Sequence, residues 1–179
     1  MNFVFNELEN EGSPISIERS TTYTAAEGYY LDFLFYHDNR ILHQPNSINS
    51  EADGMNQMAC LTMMRAILPH FSDRNLRQGP FVFMLNDLHR SNMFVDEDWH
   101  ITCLIDLEWA CSLPIEMMDV PYWITNLAID QLYGDNLAEF KVAYDEFMTI
   151  FEEVERSLAA QSKLGHDVSS IMRLSLIHI

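Results

Sequence analysis

Three short polar side chains in this sequence have the types and spacing to hold a cation beside a reacting hydroxyl. Asp87 stands five residues before Asn92, and Asp106 follows after two short apolar runs. Two carboxylates and an amide oxygen are hard ligands, suited to Mg²⁺ rather than to zinc. Phosphoryl transfer needs such a set, because charge builds on the transferring group and one carboxylate must orient the attacking hydroxyl and accept its proton. His89 and Glu108 flank the three as supporting candidates. The residues also allow plainer readings: Asp87 as a turn-capping carboxylate, Asn92 as a turn residue, Asp106 as a strand-end cap. A metal-dependent hydrolase built on Asp87, His89 and Asp106 would have the ligand types but not the usual two-histidine spacing.

The elements around these residues explain how they could meet. Phe81-Val82-Phe83-Met84-Leu85 reads as a short buried strand, Met93-Phe94-Val95 as a second and His100 to Ile105 as a third. The polar turn Asp96-Glu97-Asp98 predicts that the last two form a hairpin. Asp87 then follows one strand, Asn92 opens the next and Asp106 ends the third. Upstream, Thr24-Ala25-Ala26-Glu27 fits a capping box. Ala26, Tyr30, Phe33, Leu34, His37 and Ile41 recur at helical spacing, and Gln44-Pro45 ends that helix. Ser50 opens a second helix, with Met55, Met58, Ala59, Thr62, Met63, Ala66 and Ile67 as its core face and Pro69 as its end. Pro114 and Pro121 punctuate an irregular segment. Leu137, Phe140, Tyr144, Phe147, Met148, Phe151, Val154 and Leu158 predict a long amphipathic helix ended by Gly165. The fold class is α+β, mainly α-helical, with a small hairpin carrying the candidate site.

Composition narrows the partners. The chain has 179 residues, 27 acidic against 10 basic, for a formal net charge of −17. Nucleic-acid phosphates and anionic membrane surfaces call for basic patches, so neither is expected. The charge suits a cationic ligand, such as an aminosugar or a choline-like amine, or simply a soluble surface. Cys60, Cys103 and Cys111 form no C-x-x-C pair, which points to a reducing compartment and a cytoplasmic protein. The first residues lack a basic n-region, and no apolar run reaches the ~18 residues of a membrane span.

Asp87-Leu88-His89 with Asn92-Met93-Phe94-Val95-Asp96, followed by Ile105-Asp106-Leu107-Glu108-Trp109-Ala110, resembles the catalytic loop and metal-binding motif of the aminoglycoside phosphotransferase and protein-kinase-like family. Pro114-x-Glu116 and Pro121-Tyr122-Trp123 look like its fungal branch. The resemblance spans roughly residues 20–160. It implies the C-terminal lobe of a protein-kinase-like fold, with ATP and Mg²⁺ as cofactors and a small-molecule hydroxyl as acceptor of the γ-phosphate. By the match, Asp87 would be the catalytic base, and Asn92 and Asp106 the metal ligands. His89 would hold the loop, and Glu108 would support it or lie exposed. Arg90 occupies a place where many relatives have a small residue or proline.

Two departures bear on activity. Leu85 and Asn86 stand where the family has histidine and glycine. Residues 1–80 show no glycine-rich phosphate loop and no strand lysine of an N-terminal lobe. The expected organisation is therefore an arm over residues 1–20, a kinase-like lobe over 21–165 and a tail over 166–179. That tail is a frayed helix end or a non-native extension. Such a chain would be a phosphotransferase fragment that binds ATP weakly or not at all alone, and that self-associates through the surface facing the missing lobe. A catalytically inactive, pseudokinase-like binding module is the alternative.

Overall fold

The computed structural model describes residues 17–18, 20–158 and 167–175. The expected arm, except for residues 17–18 and 20, lies outside the described residues, as do Gly165 and residues 176–179. The chain divides into two compact units, Met1–Gly79 and Pro80–Ile179. No helix among the described residues is long and apolar enough to cross a membrane. The architecture is mixed α+β, with helices outweighing two small antiparallel sheets.

The first unit is a pair of helices, α1 (Ala26–His43) and α2 (Glu51–Phe71). The expected capping box at Thr24 does not form: Ala25 is the N-cap and no side chain caps the helix. Glu27 instead pairs with Arg77, and Ala26 N–H donates to Arg77 C=O at 2.8 Å, so a distant loop satisfies this helix end. Gln44 leaves the helix in extended conformation, as the residue before a proline must. Ser50 does cap α2, its side chain accepting from Asp53 N–H at 3.1 Å.

Two expectations for α2 need correction. Pro69 lies inside the helix, which runs on to Phe71 and closes with Ser72 N–H on Leu68 C=O at 3.1 Å. Proline costs one backbone bond near the helix end, where the remaining turn can still close. The methionine stripe is also not the buried face. Met55, Met58 and Met63 are exposed, whereas Gly54 and Leu61 are buried and Gln57, Leu68 and Phe71 half-buried on the face toward α1. Gly54 packs against Ile48 of the loop between the helices, where a Cβ would sit 3.2 Å from Ile48 Cγ2.

The second unit opens with strand β1 (Phe81–Leu85), followed by β2 (Met93–Val95), β3 (Ile101–Leu104) and β4 (Ala110–Pro114). β2 and β3 form the expected antiparallel hairpin, Met93 opposite Leu104, with an irregularity between Phe94 and Val95. β1 pairs antiparallel with β4, Phe81 opposite Pro114 and Leu85 opposite Ala110. β4 is not among the expected strands; it ends at Pro114, where the irregular segment is expected to begin. β1 is only half-buried, with Phe83 on its open side. The hairpin is thus nested between the two strands of an outer ribbon. Two loops connect ribbon to hairpin, residues 86–92 on the way in and 105–109 on the way out, and they carry the two motifs.

Two helices complete this unit, α3 (Asp135–Leu158) and α4 (Val168–Ser175). α3 buries Phe140, Tyr144 and Met148 along one face, against the 3₁₀ turn Tyr122–Thr125 and α4. Tyr144 OH donates to Met172 C=O at 3.1 Å. Glu155 accepts from Val168 N–H at 2.7 Å and so satisfies a free donor at the start of α4.

Candidate functional site

Nesting the hairpin in the ribbon forces the motif loops side by side, because each starts or ends at a paired residue. Leu85 and Ala110 are partners in the outer ribbon, and Met93 and Leu104 in the hairpin. One further bond extends the hairpin into the loops: Ile105 N–H donates to Asn92 C=O at 3.0 Å. Asp106, the next residue, therefore leaves the hairpin beside Asn92.

The first loop is braced from within. Leu88 N–H donates to Leu85 C=O at 3.2 Å, and Asn92 N–H to His89 C=O at 2.8 Å, which closes the 3₁₀ turn Arg90–Asn92. Asn92 is 5% exposed, and its Nδ2 donates to Asp87 C=O at 3.1 Å. A buried amide needs such a partner. The bond fixes the carboxamide with Nδ2 toward the loop backbone and Oδ1 on its other side, where Ser91 Oγ makes a long contact of 3.4 Å. Asp87 keeps its carboxylate half-exposed, and His89 Nε2 stands 4.0 Å from its Oδ1. His89 Nδ1 is held by Ser91 Oγ at 2.7 Å, which leaves Nε2 as the nitrogen toward Asp87.

The second loop turns on Asp106 at φ +54, in the left-handed region that Asp tolerates better than most side chains. The turn lets Ala110 N–H reach Leu107 C=O at 3.0 Å and carries the chain into β4. The Asp106 carboxylate is exposed and has no side-chain partner among the described residues. Glu108 is likewise exposed and has no partner among them, Asp87 and Asn92 included.

Sequence reasoning missed the ties between the two loops. Asn86 Nδ2 donates to Trp109 C=O at 3.2 Å and lies 3.2 Å from Cys111 Sγ. The carboxamide at 86 bridges from the end of β1 to β4, and only a sequence reading that had found β4 could have assigned it. An open pocket of about 300 Å³ adjoins the first loop, lined by His89, Arg90 and Ser91 on one side and Tyr122, Trp123 and Asn126 on the other. Asn126 ends its 3₁₀ turn at φ +59 and folds the chain back along the pocket wall.

Asn92 Oδ1 and the Asp106 carboxylate would offer oxygen donors alone, a set that suits Mg²⁺ and not zinc. Among the described residues no group of three or more His, Cys, Asp or Glu side chains could hold a metal. A cation here would rest on the Asp106 carboxylate and Asn92 Oδ1, with water completing its shell.

A family model described as the phosphotransferase enzyme family (APH) matches residues 36–117, less than half of the chain. The match includes both motif loops and supports a relation to the kinase-like phosphotransferases. No curated protein and no solved structure matches the chain.

Proposed function

We propose that the second unit carries the catalytic loop of a phosphotransferase that moves the γ-phosphate of ATP to a hydroxyl of a small molecule. The observation that carries this reading is the Asn92 brace. A buried amide ties down the Asp87 backbone, and Ile105 N–H on Asn92 C=O sets Asp106 beside it. That leaves Asp87 to orient the acceptor hydroxyl and take its proton. Asn92 Oδ1 and Asp106 would hold a Mg²⁺ ion, as one amide and one carboxylate oxygen. His89, held by Ser91, supports the loop beside Asp87. Glu108 stays outside this set. When bound, Mg·ATP supplies the phosphoryl group and neutralises its developing charge.

An inactive binding module is the second reading, and one observation favours it: Leu85 and Asn86 stand where the family has histidine and glycine. Against it, Asn86 bridges to Trp109 and so supplies loop support by another route.

The test is transfer of labelled γ-phosphate from Mg·ATP to a panel of hydroxyl compounds. Turnover that falls by roughly 10²–10⁴ in Asp87→Asn, as expected for loss of a catalytic base, supports the enzyme. Turnover unchanged in both Asp87→Asn and Asp106→Asn, or no phosphorylated product from any acceptor, overturns it.

A further inference from the structure

The pocket beside the catalytic loop has a lining whose sign is opposite to that of the chain. The sequence carries 27 acidic and 10 basic residues, yet the charged side chain in the pocket wall is Arg90, with no carboxylate in the lining. Most arginines of the second unit are already engaged. Arg173 pairs with Glu152, and Arg156 donates to Glu152 C=O. Arg90 is exposed, lines the pocket and has no hydrogen-bond or ion-pair partner among the described residues. In a molecule with so many carboxylates, an unpaired arginine beside a pocket marks a place where an anion can be bound from outside.

The facing wall has a different chemistry. Tyr122 is 44% exposed and Trp123 half-buried, so two aromatic rings border the space without being consumed by the core. Rings of this kind take flat apolar groups, and a guanidinium offers a planar fork that matches a carboxylate. We infer that this pocket binds the non-reacting end of an aromatic hydroxy acid, with its ring against Tyr122 and Trp123 and its carboxylate on Arg90. The inference rests on the proposed phosphotransfer reading for the fate of the hydroxyl, but not for the binding itself. The net charge of the chain favours cations at a distance, whereas selectivity in contact is set by the lining.

The test uses three probes of one shape on the full chain: para-(hydroxymethyl)benzoate, para-(hydroxymethyl)benzylamine and para-methylbenzyl alcohol. Binding is followed by NMR shifts of the Trp123 indole N–H and the Arg90 Nε–H. The benzoate is expected to bind about tenfold more tightly than the other two, the scale of one charge-assisted hydrogen-bond pair at a solvated site. Arg90→Ala removes that preference, and Asp106→Asn leaves it, because the metal ligand is not part of the pocket. Equal or tighter binding of the amine overturns the inference. So does a preference that survives Arg90→Ala, or the absence of shifts with all three probes. A benzoate preference without phosphorylation of the benzoate upholds the pocket assignment and counts only against the phosphotransfer reading.

Discussion

Asn92→Ala should loosen the candidate site without unfolding the chain, and its size can be worked from one bond. The Asn92 Nδ2 to Asp87 C=O hydrogen bond is 3.1 Å long and the amide is buried. A neutral bond of this kind contributes about 1 kcal/mol net, and an orphaned buried acceptor costs about 1–3 kcal/mol. Asp87 is exposed, so water can reach its carbonyl once the amide is gone, and the low end applies. A loss of about 1.5 kcal/mol corresponds to roughly tenfold faster local opening. Two compact units make a single melting midpoint a poor reporter, so the assay is amide hydrogen exchange at Ile105. Ile105 N–H donates to Asn92 C=O, a backbone group that alanine retains. Its exchange should accelerate about tenfold in Asn92→Ala by that same free-energy arithmetic, while the amides of α2 keep their rates. An unchanged Ile105 rate would refute the idea that the Asn92 side chain braces the two loops.

Other consequences concern stability. Tyr144→Phe removes the bond to Met172 C=O while preserving the buried ring, so it should cost about 1 kcal/mol in chemical denaturation of the second unit. Phe140→Ala, at a side chain 1% exposed, should cost about 3–5 kcal/mol and loosen α3. Burial, and to a smaller extent Arg40, holds His37 below the ordinary histidine range. The unfolded chain then binds the proton more readily than the folded one. Stability of the first unit is therefore full above the unfolded value of about 6.5 and falls as pH drops toward the folded value. A thermal-shift series from pH 7.5 to about 5 should show that loss, and His37→Gln should flatten it.

The site was more legible than the elements that hold it. Asp87, Asn92 and Asp106 could be placed from the sequence because each abuts a short apolar run, and a hairpin between the runs leaves little freedom in where the ends lie. β4 escaped notice because Ala110-Cys111-Ser112 has little strand propensity. Its conformation comes from pairing with β1, a contact that local patterning does not encode. The Thr24 capping box failed for a similar reason, since Arg77 takes Glu27 away from the helix end it would have capped. On α2 the sequence offers apolar residues on more than one side. Periodicity finds the stripes, but contacts with α1, such as Phe71 on Tyr30 and Arg65 on Asp38, choose between them. Helix α4 is short and depends on Glu155 and on the Tyr144 bond to Met172, partners that lie on α3.

In the proposed site Asn92 Oδ1 and Asp106 hold one hard cation beside Asp87, at the mouth of the hairpin. Paramagnetic broadening by Mn²⁺, read residue by residue and competed with Mg²⁺, tests that placement most directly. Substoichiometric Mn²⁺ should broaden the amides of 87–92 and 105–107 first. Excess Mg²⁺ restores them, and Asp106→Asn abolishes the effect. Broadening spread over the acidic surface of α3, with the two loops untouched and Asp106→Asn indistinguishable from wild type, would contradict it.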